Sequence, residues 1–152
     1  MNTTAIQYKK FAKQYHLIAK ESEFQAEKIA SSFQSQQYAR NFYQDDLEIY
    51  ESFWVIFLAR NNTVKGFVRL SQGGLTGTVV DPRLLAKYAL ESLACGVILV
   101  HNHPSGNTRP SEADLDITRK IKSTLNLFDC NVLDHIILGG DNYYSFADEG
   151  II

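Results

Sequence analysis

Cysteine is scarce in this chain, and its scarcity excludes a disulfide-stapled fold. Only Cys95 and Cys130 occur among the 152 residues, far apart and without a CxxC pair. Two isolated cysteines do not make a disulfide framework. Residues 1–16 also lack the apolar stretch of a secretion signal. We therefore expect a cytoplasmic protein in which both cysteines are small core residues.

The sequence also lacks an excess of charge of one sign and has no long apolar runs. The chain has 15 Lys and Arg against 17 Asp and Glu, a net charge of -2. This balance argues against strong non-specific binding to nucleic acid, although it leaves room for a local basic patch. The longest apolar runs, such as residues 53–59, are too short to cross a bilayer. We therefore expect neither a membrane partner nor general nucleic-acid binding.

The apolar content is sufficient for one domain with a single core. Hydrophobic residues make up 45% of the chain and charged residues 21%, which is typical of soluble globular proteins. Residues 1–44 are more polar, and we interpret them as a short leader packed on the domain. Within this leader, Ser31 or Ser32 is predicted to cap a helix that runs to about Gln44. Residues 45–152 are interpreted as the main domain.

From Glu51 onward the hydrophobic pattern predicts strands and helices in alternation. Residues 51–60 and 63–71 predict a hairpin. Asp81 and Pro82 predict a helix start, and this helix is expected to end at Gly96. Its core-facing positions are predicted to be Leu84, Leu85, Tyr88, Ala89 and Leu93. The elements predicted after it are a strand at 97–100, a helix at 111–127, and strands at 131–138 and 143–146. This order predicts an α/β fold with a mixed β-sheet flanked by helices.

The chemical signal lies just after the strand at residues 97–100, in the sequence HNHPSGNTRPSEAD. Alternate residues of a strand point to the same face, so His101 and His103 share one face while Asn102 takes the other. Two imidazoles on one face can bind one zinc ion. Catalytic zinc has three protein ligands in a tetrahedral arrangement, with the fourth position left for water. A third ligand is therefore expected from the segment that follows.

Asp114 is the best local candidate for that third ligand. The loop 104–110 contains proline and glycine and can turn the chain back. Asp114 would then lie in the first turn of the next helix, where a carboxylate is favoured. A purely structural interpretation also exists, because Ser111 and Asp114 have the spacing of a capping box. The joint pattern favours a metal site, and the Ser111 hydroxyl can cap the helix while facing the metal.

This segment resembles the JAMM (MPN+) metalloprotease signature, in which His-x-His is followed by seven residues, a Ser, two residues and an Asp. HNHPSGNTRPSEAD, LDHIIL and YYSFADEG resemble more closely the RadC family of bacteria, named historically for DNA repair, over roughly residues 45–152. The resemblance implies a JAMM/MPN-like fold, layered like cytidine deaminases, and a peptidase or isopeptidase acting on a peptide or protein substrate. It implies Zn²⁺ held by His101, His103 and Asp114, with Ser111 steadying the attacking water or the oxyanion. The leader lacks the helix-hairpin-helix region common in RadC proteins, so we interpret the chain as a stand-alone catalytic domain.

The family also uses a glutamate at the start of an upstream strand as general acid and base, and the matching residue is Glu51. A carboxylate at the mouth of a buried strand suits that chemistry. The spacing alone does not choose it over Asp45, Asp46 or Glu48, and Glu48 is the next candidate. His135 is interpreted as a satisfied core histidine, with a role behind the metal ligands left open.

Two functions of different classes are compatible with the sequence. The first is a zinc hydrolase acting on peptide or isopeptide bonds. The second is a non-catalytic adaptor in DNA repair or mobile-element functions that keeps a structural metal. A zinc deaminase would need an HxE and a PCxxC motif, and the sequence contains neither.

Overall fold

A single mixed β-sheet forms the centre of the molecule. The computed structural model describes residues 12–15, 18–44, 46–73 and 79–152. The helices and strands in these residues are α1 Ser32–Arg40, β1 Ser52–Leu58, β2 Val64–Gln72, α2 Pro82–Glu91, β3 Gly96–Asn102, α3 Glu112–Asn126, β4 Asn131–Gly139 and β5 Asn142–Ser145. The strand order is β2-β1-β3-β4-β5. Strands β3 and β4 are parallel and are joined through α3, whereas the other neighbours are antiparallel. The predicted mixed α/β architecture is confirmed.

The two central strands separate two apolar cores. Because β1 and β3 are continuous apolar runs, their alternate side chains are buried on opposite faces of the sheet. Helices α2 and α3 cover the face that carries Val55, Phe57, Val97 and Leu99. Helix α1 packs on the face that carries Ile56, Leu58, Ile98 and Val100. The result is three layers, with the sheet between α1 and the α2–α3 pair.

Helix α1 belongs to the segment interpreted as the leader. The Ser31 side chain caps it by accepting a hydrogen bond from Gln34 N, and Tyr38 and Ala39 are buried against the sheet. The helix ends at Arg40, earlier than the predicted Gln44, because residues 41–44 form turns and Gln44 has a positive φ of 43°. The proposed boundary between residues 44 and 45 stays a prediction.

Helix α2 begins as predicted but ends five residues earlier than expected. Asp81 caps it by accepting from Arg83 N, and its last residue is Glu91. Leu93 has a left-handed φ of 52°, so the helical period no longer applies to it and its side chain is 77% exposed. Leu84 is also exposed, at 46%. Gly96 does not close the helix; it is the first residue of β3. The prediction of Leu84 and Leu93 as core residues and of Gly96 as the helix end was therefore wrong. Among the described residues, no helix has both the length and the apolar character needed to span a bilayer.

Candidate metal centre

The two histidines lie at the carboxyl end of β3, on the face that α3 covers. His101 is 1% exposed, and its ring stacks on Phe53 of β1 at a centroid distance of 5.9 Å. His103 follows the strand end, and its backbone N–H donates to Leu138 O of β4 at 2.8 Å. Since the pleat alternates, His101 continues the row that contains Leu99, which packs against α2 and α3. Helix α3 therefore begins beside the face that the two histidines were predicted to share.

A tight turn brings the chain back from β3 to α3. Gly106 N donates to His103 O at 2.9 Å, and Gly106 has a φ of +83°, a conformation that glycine adopts without strain. The turn lies directly on Gly139 of β4, where a Cβ would come within 2.6 Å of Gly106 O. Both glycines are therefore needed for the loop to pack against the sheet.

The start of α3 places Asp114 beside the two imidazoles. Ser111 is the N-cap, and its Oγ accepts from Asp114 N at 3.2 Å. Asp114 Oδ2 in turn accepts from Ser111 N and from Ser111 Oγ, both at 2.7 Å. This is the predicted capping box. The box fixes the rotamer of Asp114, so that its other oxygen is free to face β3.

Three ligand atoms converge at this point. His101 Nε2 lies 2.9 Å from His103 Nε2 and 3.1 Å from Asp114 Oδ1, and His103 Nε2 lies 3.4 Å from Asp114 Oδ2. One ligand atom from each residue lies within 4.8 Å of the others. We call these three residues the His-His-Asp cluster. The three residues that the sequence predicts as metal ligands are thus brought together by the fold.

The outer nitrogen of each imidazole has its own partner. His103 Nδ1 lies 2.6 Å from the carbonyl oxygen of Asn107, so this nitrogen must donate. On the neutral ring, His103 Nε2 then carries a lone pair directed at the cluster. His101 Nδ1 contacts His135 Nε2 at 2.8 Å. The cluster therefore presents the lone pair of His103 Nε2 and the oxygens of Asp114 to a cation, which is either a proton on His103 or a metal ion. Two nitrogens and one carboxylate oxygen are a donor set that zinc accepts.

The contacts within the His-His-Asp cluster lower the pKa of Asp114 and raise that of His103. Burial would raise the pKa of Asp114, but the contacts with His101 and His103 and the hydrogen bond from Ser111 outweigh it, so this pKa lies well below its ordinary value. The contact with the Asp114 carboxylate raises the pKa of His103 against the opposing effect of burial. Asp114 is therefore ionised at neutral pH, as a metal ligand must be.

The cluster lies in an open cleft of roughly 670 Å³. Its other lining residues include Glu51, Phe53, Val80, Ser111 and Ile117. Glu51 immediately precedes β1 and is half-buried. Of the alternative acidic residues, Asp46 and Glu48 are exposed on the segment before it, and Asp45 lies outside the described residues. The structure thus places Glu51 and Ser111 in the same cleft as the three candidate ligands.

Comparison with known proteins agrees with this geometry. The family described as "RadC-like JAB domain" matches residues 29–151. The chain belongs to this family. The match extends further upstream than the resemblance seen from about residue 45, and it includes α1. This RadC-like JAB domain therefore contains the whole sheet and the His-His-Asp cluster.

Several curated relatives carry the name UPF0758 protein. One from Flavobacterium johnsoniae is 52% identical over 102 residues, which are 67% of this chain and 44% of that protein. YfjY of Escherichia coli is 43% identical over 102 residues, 67% of this chain and 64% of YfjY. One from Streptococcus gordonii is 38% identical over 133 residues, 87% of this chain and 58% of that protein. The chain thus spans about half the length of the curated relatives it matches.

The middle residue of the His-Asn-His sequence has a structural function that sequence reasoning missed. Asn102 is fully buried on the face opposite the histidines. Its Oδ1 accepts from Ser52 N at 2.8 Å, and its Nδ2 donates to Leu47 O at 2.6 Å and to Tyr50 O at 2.7 Å. These bonds hold the segment on both sides of Glu51. Alternation predicted the side chain's face, but nothing local identified its partners.

Replacing Asn102 should lower the stability of the protein without removing the metal. Asn102→Ala leaves one buried N–H and two carbonyls without this partner, so we expect the free energy of unfolding to fall by about 2–4 kcal/mol. Because the histidines lie on the other face, zinc content should remain close to wild type. Urea unfolding and metal analysis measure the two effects, with the exposed Asn126→Ala as control. Loss of zinc together with unchanged stability would contradict this assignment.

His135 and Thr118 form a buried contact behind the cluster. His135 is fully buried on β4, as predicted for a core histidine, and its Nδ1 lies 2.6 Å from Thr118 Oγ1 of α3. Its Nε2 meets the Nδ1 of His101. Burial, the largest cause, lowers the pKa of His135 well below its ordinary value. Thr118 was not identified from the sequence, although it lies one turn after Asp114.

Proposed function

We propose that this chain is a zinc-dependent hydrolase that cleaves a peptide or isopeptide bond in a protein or peptide substrate. One observation carries the proposal: two imidazole nitrogens and a carboxylate oxygen converge in an open cleft that also contains Glu51. Membership of the RadC-like JAB domain family agrees with it. Zinc accepts this donor set, and three protein ligands leave one coordination position for chemistry.

The His-His-Asp cluster would hold the metal. His101 and His103 would each use Nε2, and Asp114 would use the carboxylate oxygen directed at them. Bound zinc would supply Lewis-acid polarisation of the scissile carbonyl and a nucleophile from water at neutral pH. The remaining steps belong to the protein's own side chains.

Glu51 would move the proton during hydrolysis. Its carboxylate takes a proton from the attacking water as the new C–O bond forms at the carbonyl carbon. It then gives that proton to the leaving nitrogen as the C–N bond breaks, so the products are a carboxylic acid and an amine. The backbone here is well held, because Gly73 N donates to Glu51 O at 2.8 Å and Asn102 binds both flanks. A held backbone restricts where the Glu51 carboxylate can lie in the cleft, which favours proton transfer there.

Ser111 would contribute in two ways. Its hydroxyl proton is directed at Asp114 Oδ2 and its oxygen accepts from Asp114 N, so it caps α3 and orients a ligand. Ser111 also lines the cleft. Rotation of the hydroxyl would let it donate to the attacking water or to the oxyanion. This second role is the one that the family resemblance implies.

Substitution of Ser111 should distinguish these roles. Ser111→Ala removes the N-cap and should cost about 0.5–2 kcal/mol of stability together with most of the activity. Ser111→Asn keeps a good N-cap but changes the donor, so we expect near-wild-type melting and little activity. Ser111→Thr keeps the hydroxyl and is the matched control. Full turnover by the asparagine variant would leave Ser111 as a helix cap alone.

The test of the proposed function is cleavage of a peptide and isopeptide library by the purified zinc-loaded protein. We expect defined cleavage products that disappear after chelation and return when zinc is added back. Zinc binding without cleavage of any library member would favour the alternative, an adaptor in DNA repair or mobile-element functions that keeps a structural metal. Both cysteines are free, which suits the cytoplasmic setting that we propose.

A further inference from the structure

We propose that Thr118 and His135 fix the proton of His101 on Nδ1, so that Nε2 of His101 is available to a metal ion. We call these two residues the Thr118–His135 pair. The inference rests on the proposed metal site, and it assigns a positioning role to two residues outside the His-His-Asp cluster. It follows from a continuous series of three short contacts that links α3, β4 and β3.

The series begins at the backbone of Asp114. Thr118 Oγ1 lies 2.6 Å from Asp114 O, one helical turn before it. A carbonyl oxygen has no proton, so the hydroxyl of Thr118 must supply the one between the two oxygens. Thr118 Oγ1 is also 2.6 Å from His135 Nδ1. With its proton already given to Asp114 O, the hydroxyl oxygen can only accept from His135, which places a proton on His135 Nδ1.

The next contact transfers this constraint to the metal ligand. His135 Nε2 lies 2.8 Å from His101 Nδ1. A neutral imidazole with its proton on Nδ1 has a lone pair on Nε2. His135 Nε2 therefore accepts, and His101 Nδ1 donates. The proton of a neutral His101 is then used on the side away from the cluster, and its Nε2 lone pair faces His103 and Asp114.

The surroundings of His135 keep it neutral. The residue is 0% exposed. The rings of Phe53 and Phe146 lie against its imidazole, at centroid distances of 5.5 Å and 4.6 Å. The carboxylate of the neighbouring Asp134 is used elsewhere, because it accepts from Ser145 Oγ at 2.6 Å and from Ala147 N at 3.0 Å. A second proton on His135 would be a buried charge without a carboxylate partner, which is strongly unfavourable.

The Thr118–His135 pair therefore acts on two ligands together. It sets the tautomer and ring orientation of His101, and through the Asp114 carbonyl it ties this imidazole to the helix that carries the third ligand. Partners that orient metal-binding histidines typically change metal affinity by about 10–100-fold when they are removed. The pair should have an effect of that size on zinc, without touching the metal or the substrate.

The test uses the isosteric change Thr118→Val and the conservative change Thr118→Ser. Valine keeps the shape but removes the hydroxyl, so His135 loses the acceptor that holds its proton on Nδ1. We expect the zinc dissociation constant, measured by competition with a chromogenic chelator, to rise by about 10–100-fold in Thr118→Val. Thr118→Ser restores the hydroxyl and should bind zinc as wild type does.

The second readout is the imidazole tautomers, measured by long-range ¹H–¹⁵N correlation spectroscopy on the wild-type chain before and after zinc addition. The proposal expects protons on Nδ1 of both His101 and His135 in both states. A zinc-free His101 with its proton on Nε2 would overturn it, as would equal zinc affinity of the valine variant and wild type. If wild type binds no zinc, the proposed function fails, while the tautomers still decide whether the pair sets the proton of His101.

Discussion

His103→Ala should reduce the zinc content of the purified protein from one ion per chain to a small fraction of that value. The substitution removes one of three candidate ligands and the imidazole whose Nε2 lies 3.4 Å from Asp114 Oδ2. Two remaining ligands hold zinc much more weakly, because each of the three protein ligands contributes to binding. The measurement is metal analysis after dialysis against a weak chelator.

The same variant should also lose the stabilisation that zinc provides. A ligand that binds only the folded state stabilises it by about 2.7 kcal/mol at a concentration 100 times its dissociation constant. Added zinc should therefore raise the melting temperature of wild type and leave that of His103→Ala nearly unchanged. Arg109→Ala, an exposed change in the same loop, is the matched control and should behave as wild type. Unchanged zinc content in His103→Ala would show that the ion is held elsewhere.

Glu51→Gln should abolish most of the hydrolysis while the zinc stays bound. Glutamine has the size of glutamate but cannot take up the proton of the attacking water, and general acid–base catalysis is typically worth about 10²–10⁴ in rate. The affected kinetic parameter should be kcat. The assay is cleavage of the best substrate from the peptide library, with metal content measured on the same samples.

Glu48→Gln is the matched control for this experiment, because Glu48 is exposed three residues earlier. It should retain full activity. The opposite pattern, with activity kept in Glu51→Gln and lost in Glu48→Gln, would make Glu48 the proton shuttle. Loss of zinc in Glu51→Gln would instead show that Glu51 supports the metal rather than the chemistry.

The candidate metal ligands could be predicted from sequence because their arrangement is local. His101 lies on β3 and His103 directly follows its end, and continued alternation of the pleat places the two side chains on one face. Ser111 and Asp114 belong to one capping box, whose geometry follows from their spacing. Only the turn between these two units is not fixed by periodicity, and its proline and glycine content predicts a return of the chain. The hairpin of β1 and β2 was also predictable, because its two strands are adjacent in the sequence.

The contacts that support the site could not be predicted, although His135 was expected to be buried, because these contacts are long-range. His135 lies 34 positions after His101 and meets it only because β4 pairs with β3 in one particular register. Asn102 reaches back 50 positions to Ser52. A pattern of buried and polar residues shows that such side chains are buried, but it does not say which backbone or ring they face. The sheet order, which decides this, depends on the packing of the whole chain.

Helix α2 illustrates a second limit. Leu84 and Leu93 follow the helical period of the core positions, but both are exposed. The amphipathic pattern describes an uninterrupted helix, whereas α2 ends at Glu91, before Leu93, and Leu84 lies in its first turn. The position where a helix ends depends on the local backbone conformation and on the element that follows. Here the residues after Glu91 must lead into β3, which begins at Gly96. The helical period therefore predicts too many core residues near the ends of a helix.

The most direct measurement of the central claim is anomalous diffraction at the zinc absorption edge from crystals of the purified wild-type protein. We predict one anomalous peak per chain, about 2.0–2.2 Å from Nε2 of His101, Nε2 of His103 and one carboxylate oxygen of Asp114. A peak at any other group of side chains, or no peak from protein purified with zinc present, would contradict the account.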